Sequence, residues 1–254
     1  SVKAGNVSKA EEYLRQIPYK GLGELVRPVM AAWIFASKND LSEVNAALDR
    51  LGRNGKFASF LQYHKALIQD YMNIEEARLS YLNLMQNKKT RTIRAIESYG
   101  SYLRRYGYAD EAEQLFSKNL PKNSSSVIVQ EARFFARKNP NLRVVNSAPQ
   151  GIAEAFYAAA KALMQNNEYE IALLYSRLAV YLRPHSSISN ILLGEALDRG
   201  EQWSEAIKAY SKIDKESPLG WQARLRIARN LQRLSRNDDA IFILSEMIEE
   251  KPKR

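Results

Sequence analysis

Residues 191–218 read ILLGEALDRGEQWSEAIKAYSKIDKESP, and this stretch decides the fold that the sequence predicts. Apolar residues recur in it at steps of three and four, first at Leu193 and Leu197 and then at Ile207 and Tyr210. A polar turn lies between the two blocks. Such steps place side chains on one face of an α-helix. The stretch therefore predicts two helices joined by a short turn.

Small residues and a proline mark fixed points in this stretch, and they recur at an interval of 34 residues. Gly194 and Ala206 are twelve positions apart, and Pro218 follows after twelve more. Two helices that cross closely need small side chains at the contact, and a proline, which lacks an N–H, is expected to end the second helix. The preceding unit has Ala160, Ala172 and Pro184 at these positions, and the following unit has Ala228, Ala240 and Pro252. The predicted C-terminal subarray, 153–254, thus consists of 153–186, 187–220 and 221–254.

The N-terminal part of the chain repeats the pattern more loosely. One unit carries the small pair Gly100 and Ala112. Another has Val44 at the second small site, and in a third Ala77 falls one residue early. The chain begins inside a repeat, which predicts that it is a fragment of a longer array. The predicted N-terminal subarray, 1–126, consists of a partial repeat, 1–24, and the units 25–58, 59–92 and 93–126.

Residues 127–152 interrupt the regular spacing, and we predict a helix followed by an irregular connector. A helical pattern runs through Lys138, the pair Asn139-Pro140 stops it, and LRVVNSAPQG has no second helical pattern. Two interpretations of the connector, 139–152, are open. It is a plain linker between two subarrays, or LRVV lies extended against neighbouring helices. In the second case it fixes the bend between the halves or partly fills a groove.

The 34-residue helix–turn–helix unit resembles the tetratricopeptide repeat, or TPR. The resemblance rests on the small residues Gly194 and Ala206, on Trp203 at the start of the second helix, and on Tyr210 and Pro218. It implies an all-α fold, a right-handed superhelical solenoid of antiparallel helix pairs, here as two subarrays separated by an irregular segment. The chain is also similar to long proteobacterial TPR proteins that are commonly exported. That likeness implies a bacterial cell-envelope or periplasmic location, with any targeting signal upstream.

The TPR resemblance also implies a concave groove lined by the first helix of each unit. The groove positions are largely aromatic and apolar in the first units and basic further along. Such a groove suits a peptide with apolar and acidic side chains, because aromatic residues supply contact energy and arginines orient carboxylates. Alternatively, several of the aromatic residues pack against adjacent repeats. The candidate partner-binding residues are Trp33, Phe60, Tyr63, Tyr71, Arg94, Arg104, Arg105, Tyr157, Lys161, Arg229 and Arg233.

The sequence carries no pattern that indicates catalysis, a cofactor or a metal. It contains no cysteine, which excludes disulfides, thiolate ligands and cysteine nucleophiles. Neither His64 nor His185 has a neighbouring ligand at metal-binding spacing, and no phosphate loop or dinucleotide fingerprint occurs. We therefore expect a non-catalytic protein without a small-molecule substrate. Its expected function is to bind a protein or peptide, as a scaffold within a complex.

Two other functions are open at this stage. The first is binding of RNA or another nucleic acid, because the net charge is +10 and basic clusters occur at 88–94, 102–108 and 221–236, the last two with aromatic residues. The second is a self-assembling scaffold, or a homodimer that forms through exposed ends of the array. Uncovered apolar residues at such an end favour association. In the last helix these would be Leu244, Met247 and Ile248.

Overall fold

The computed structural model describes residues 6–18, 21–52, 57–138, 140 and 142–250, and all regular secondary structure in these ranges is helical. This confirms the expected all-α class. Asn139 and Pro252, at which the sequence predicts helix ends, lie outside the described residues. The described helices are α1 Val7–Gln16, α2 Gly23–Ser37, α3 Leu41–Gly52, α4 Ala58–Tyr71, α5 Ala77–Gln86, α6 Ile93–Arg105, α7 Ala109–Asn119, α8 Val127–Lys138, α9 Ala148–Gln165, α10 Tyr169–Leu182, α11 Ser187–Arg199, α12 Trp203–Tyr210, α13 Pro218–Arg233 and α14 Asn237–Glu249.

Contacts between the helices divide the chain into two compact units, Ser1–Ala155 and Phe156–Arg254, and the division falls inside α9. In the N-terminal unit α2 packs against α3, α4 against α5 and α6 against α7. In the C-terminal unit α11 packs against α12 and α13 against α14. Each of these pairs lies within one predicted repeat. The first helices of successive pairs also touch, since α2 contacts α4, α4 contacts α6 and α11 contacts α13.

Pro218 has a different role from the predicted one. It is the first residue of α13, whereas α12 ends earlier, at Tyr210. The Oγ of Ser217 accepts a hydrogen bond from the backbone N–H of Gly220 at 3.0 Å and so caps α13. Proline is favoured at the first helical position because the N–H that it lacks would have no partner within the helix. The recurring proline therefore marks the start of the next repeat in this case.

The predicted small residues lie where an aromatic ring of the paired helix packs. A Cβ added to Gly194 would lie 2.2 Å from Cε1 of Tyr210. A Cβ added to Gly100 would lie 2.1 Å from Cζ of Phe116. Both distances are far below van der Waals contact, so neither glycine has space for a side chain. The close approach of α11 to α12 and of α6 to α7 therefore depends on these glycines.

The Gly194→Leu substitution is expected to lower the free energy of unfolding by about 1–3 kcal/mol, because the new side chain overpacks against Tyr210. Chemical denaturation would measure the loss. Gly200→Leu is a matched control: Gly200 is exposed, and a Cβ there would lie 3.4 Å from the flexible side-chain amide of Gln202. Equal losses at the two positions would contradict the close approach of α11 and α12.

The connector after α8 is shorter than predicted and is not a plain linker. The helix α9 begins at Ala148, so the predicted irregular stretch ends at Ser147 rather than at residue 152. The Oγ of Ser147 accepts a hydrogen bond from the backbone N–H of Gln150 at 3.4 Å, which caps the helix. Before it, the side chains of Val144 and Val145 are 2% and 1% exposed. The segment thus contributes to the core of the N-terminal unit.

Candidate protein-binding surfaces

Trp33 is fully buried, so it cannot contact a partner from this position. Its Nε1 donates a hydrogen bond to Nδ1 of His64 at 3.1 Å, and its ring lies 5.7 Å from that of Tyr71. A Cβ added to Gly151 would lie 2.1 Å from Cε2 of Trp33, so the start of α9 packs on the indole. Burial lowers the pKa of His64 to about 4, which keeps the imidazole neutral and able to accept. Trp33 therefore fits the alternative interpretation, in which the aromatic residue packs against adjacent helices in the core.

Arg94 joins α6 to the start of α9 through a bidentate ion pair with Glu154. Its Nε and Nη2 each donate to a different oxygen of Glu154 at 2.7 Å, and its Nη1 donates to Glu97 at 2.6 Å. Burial alone would lower the pKa of Arg94, but the two carboxylates raise it well above its usual value. The guanidinium therefore stays charged and fully engaged within the chain. Arg94 is not a free partner-binding residue.

Tyr63 belongs to the same buried cluster. Its hydroxyl donates to Oε1 of Glu154 at 3.2 Å and lies 3.3 Å from Oγ of Ser98. Burial, followed by the charge of Glu154, raises the pKa of Tyr63 above its ordinary value. The phenol is therefore neutral and serves as a hydrogen-bond donor. Phe60 is half-buried, and its ring lies 4.4 Å from that of His64.

The segment before α9 is held by further side chains from the same face. Arg105 donates to both carboxylate oxygens of Asp70, at 2.6 and 2.8 Å. Nε of Arg143 lies 3.4 Å from Oδ1 of Asp70, and its Nη1 donates to the carbonyl of Tyr71 at 3.2 Å. The Oγ of Ser101 donates to the carbonyl of Leu142 at 2.6 Å. Residues 142–154, called the inner segment below, therefore lie on α2, α4 and α6.

These contacts correct the predicted site in the N-terminal unit. The face that the sequence assigns to an external partner is covered by the inner segment, because side chains that were expected to be free bind it instead. Arg104 is also engaged, since it donates to the carbonyl of Ala136 on α8. The predicted residues that contact the inner segment or pack beneath it are Trp33, Tyr63, Tyr71, Arg94 and Arg105.

The C-terminal unit keeps an open, charged cavity of about 410 Å³. Of the four residues predicted here, Arg229 and Arg233 line it, and both are exposed. Lys161 is exposed but does not line the cavity, and Tyr157 is buried. The lining residues are Met164, Glu195, Asp198, Arg199, Arg226, Arg229 and Arg233. We call this space the arginine cavity.

Within the arginine cavity the two carboxylates are already partnered. Glu195 accepts from Nη2 of Arg226 at 2.7 Å, and burial raises the pKa of Glu195 despite that arginine. Asp198 accepts from Nδ2 of Asn230 at 2.6 Å and from the hydroxyl of Tyr210 at 2.7 Å. Three further arginines line the cavity, so it carries an excess of positive charge. A ligand with carboxylates would balance that excess.

Arg199 and Arg233 lie over aromatic rings that belong to the preceding repeat. The guanidinium of Arg199 is 5.1 Å from the ring centroid of Tyr169, and that of Arg233 is 5.6 Å from the ring of Trp203. The two arginines are 34 residues apart, and so are the two rings. Arg199 is not among the site residues predicted from the sequence, and this shared spacing was the signal that could have identified it.

Comparison with known proteins assigns no family to this chain: no protein-family model and no curated protein sequence matches it. Over the described ranges, none of the helices combines the length and apolar character needed to cross a membrane. In the same ranges, no three His, Asp or Glu side chains are grouped so that they could hold a metal ion. The inferences about function therefore rest on the geometry of the two surfaces described above.

Proposed function

We propose that this protein is a non-catalytic interaction module with TPR architecture, and that it binds an acidic segment of a partner protein in the arginine cavity. The observation that carries the proposal is the charge arrangement at that cavity. Its two carboxylates are held by Arg226, Asn230 and Tyr210. Arg229 is exposed, and no carboxylate of the described residues forms an ion pair with it. Together with Arg199 and Arg233, it can bind added carboxylates.

The proposed architecture has support at two levels. The 34-residue spacing holds through three units without a gap, and its small sites coincide with close helix approaches such as that of Gly194 to Tyr210. First helices of successive pairs also contact one another, as α11 and α13 do. Stacked helix pairs of this kind present their first helices on one side, and binding surfaces of repeat proteins commonly lie there.

A protein ligand is favoured over a nucleic acid by the state of the basic and aromatic residues. Single-stranded nucleic acids bind through free cations and through aromatic faces on which bases stack. Arg94 and Arg105 are engaged with carboxylates inside the N-terminal unit. The rings of Tyr169 and Trp203 already lie beneath arginines.

The double substitution Arg199→Glu and Arg233→Glu is expected to weaken binding of an acidic peptide at least about tenfold, since the loss of even one charge-assisted contact costs about 1.5–3 kcal/mol. The probe is a panel of fluorescein-labelled peptides that combine Asp, Glu and Leu, and fluorescence anisotropy measures affinity. Lys208→Glu is the control, because Lys208 lies on α12 outside the cavity and makes the same charge change per site.

Two results would contradict this function. One is an equal loss of peptide affinity in the Lys208→Glu control, which would show that only net charge matters. The other is tighter binding of a labelled oligouridine than of any peptide, with affinity falling steeply as salt is added. Circular dichroism of each variant would establish that the α-helical fold is intact.

A further inference from the structure

The helices α6, α7 and α8 of the N-terminal unit border a small charged cavity of about 140 Å³. A water molecule occupies about 30 Å³, so the cavity has room for about four or five waters. Pockets for drug-sized ligands are larger, about 300–1,000 Å³. The cavity therefore suits a small ion or the end group of a larger molecule. Its charged lining residues, among those that the structure describes, are Arg104, Glu113, Lys122, Arg133 and Arg137. We call it the basic cavity.

Two of these cations, Arg104 and Arg133, are held in place by backbone carbonyls. Nη1 of Arg104 donates to the carbonyl of Ala136 near the end of α8, and the guanidinium lies 5.0 Å from the ring of Phe116. Nη1 of Arg133 donates to the carbonyl of Leu120, which follows the last residue of α7. The two side chains are only 17% and 10% exposed. Because a guanidinium has five N–H donors, each arginine retains donors beyond these contacts.

Glu113 is the carboxylate among the described lining residues, and it does not take up the remaining donors. Its oxygens lie 3.7 Å from Nη2 of Arg104 and 3.9 Å from Nη2 of Arg133. An N–H···O hydrogen bond is shorter, about 2.7–3.2 Å. The side chain of Glu113 is also 55% exposed, so solvent screens both ion pairs. The two arginines therefore hold positive charge at the cavity that no close carboxylate neutralises.

Lys122 and Arg137 bring two further positive charges to the basic cavity, and both residues are exposed. No hydrogen bond, ion pair or ring contact with a described residue engages either side chain. Arg104 and Arg133 stabilise the carbonyl ends of helices, but Lys122 and Arg137 have no such structural reason for their positions. Like charges at short range repel one another. Within the described lining, four cations and one carboxylate leave an excess of three positive charges, which an anion would balance.

We propose that the basic cavity binds a single phosphate group, either as the free ion or as the end group of a small phosphate ester. A phosphate ester carries about two negative charges at pH 7 and three strong acceptor oxygens, so it balances the excess charge better than one carboxylate does. Arginines bind such oxygens in a bidentate manner. A nucleic acid fits less well, because the ring of Phe116 is 3% exposed and offers no face for a base to stack on. This inference goes beyond the proposed function, since the basic cavity shares no residue with the arginine cavity.

Isothermal titration calorimetry of the full chain tests the inference, with inorganic phosphate, glycerol 3-phosphate and acetate as probes at one ionic strength. We expect the phosphate probes to bind at least about tenfold more tightly than acetate, which is the scale of one additional charge-assisted contact. Tighter binding of inorganic phosphate would identify the free ion as the ligand. Tighter binding of glycerol 3-phosphate would identify a small phosphorylated molecule.

The double substitution Lys122→Ala and Arg137→Ala should weaken binding of the phosphate probes about tenfold or more. These two residues are chosen because Arg104 and Arg133 also hold helix ends, so their loss would alter the fold. The matched control is Lys88→Ala with Lys118→Ala, which removes the same charge from exposed positions outside the basic cavity. The control should bind phosphate as the unsubstituted protein does.

Phosphate also strengthens the burial of apolar surface without binding at a site, so association must be measured separately. Sedimentation velocity at the same phosphate concentrations checks for association through α14, where Leu244 and Ile248 are exposed and Met247, contrary to the sequence-based expectation, is buried. Heat that arises only with association would overturn the inference. So would acetate binding as tight as that of phosphate, or an equal loss of phosphate affinity in the lysine control.

The proposed function and this inference can fail independently. The Lys122→Ala and Arg137→Ala variant should keep its affinity for acidic peptides, because the arginine cavity is unchanged. The Arg199→Glu and Arg233→Glu variant should keep its affinity for phosphate. Loss of phosphate binding in that second variant alone would place the ion in the arginine cavity, and the assignment to the basic cavity would be wrong.

Discussion

The Trp33→Ala substitution is expected to lower the free energy of unfolding by about 3–5 kcal/mol, the usual range for removing a buried aromatic side chain. Trp33 is fully buried, and its indole fills the space beside Tyr71 and Gly151. The substitution leaves a cavity between α2, α4 and the start of α9. It also removes the donor to Nδ1 of His64, which leaves a buried acceptor without its hydrogen bond from Trp33.

Two further variants separate the packing of Trp33 from its hydrogen bond. Trp33→Phe keeps an aromatic ring but removes the donor, so we expect a smaller loss, about 1–3 kcal/mol. Trp221→Ala is the matched control, since Trp221 is 38% exposed and its removal leaves little cavity. Thermal and chemical denaturation measure all three. If Trp33→Ala left stability unchanged and weakened partner binding, the original interpretation of Trp33 as a groove residue would be restored.

The local part of the fold was predictable because it depends on short-range chemistry. A glycine at position 194 and an aromatic residue at position 210 lie within one helix pair, so spacing alone indicates their contact. Helix bounds were less predictable at Pro218, because proline is compatible both with the end of one helix and with the start of the next. The serine that precedes it, Ser217, was the signal for a start.

The covered face of the N-terminal unit was not predictable from the repeat pattern. Periodicity shows which residues of α2, α4 and α6 point to one side, but it is the same whether that side meets solvent or protein. Arg94 and Glu154 are sixty positions apart, and no local rule pairs them. The only sequence signal was LRVV, an apolar non-helical stretch in which Val144 and Val145 need burial.

The arginine cavity was more predictable from the sequence, because its arginine–aromatic contacts occur at equivalent positions of successive repeats. Arg199 over Tyr169 and Arg233 over Trp203 are the same contact in successive units. A contact that recurs with the repeat can be predicted once the register is known. The repeat thus predicts surfaces between neighbouring units better than it predicts the inner segment.

The second large effect is expected from Arg94→Met, which should lower the free energy of unfolding by about 3–5 kcal/mol. Glu154 and Glu97 are only 4% and 6% exposed, and the substitution leaves both without their shared cation. A buried carboxylate without a counter-charge is costly, and the protein must either protonate it or open the contact between α6 and the inner segment. Arg78→Met is the control, because Arg78 and Glu111 pair at the surface and should contribute far less.

The pH dependence of this loss distinguishes a charge effect from a packing effect. Burial raises the pKa of Glu97 in the folded state while Arg94 lowers it, so without Arg94 the pKa of Glu97 should lie further above the unfolded value. A carboxyl group whose pKa is higher in the folded state than in the unfolded state does not destabilise the protein at low pH, where both states are protonated. As the pH rises, the unfolded state ionises more readily and the free energy of unfolding falls. The stability gap between Arg94→Met and the unsubstituted protein should therefore narrow as the pH falls from 7 towards about 4, near the ordinary pKa of glutamate.

Adding Glu97→Gln and Glu154→Gln should recover part of the stability at neutral pH, because neutral amides do not require the cation. A gap that is the same at every pH, with no recovery in the triple variant, would show that Arg94 acts through packing alone.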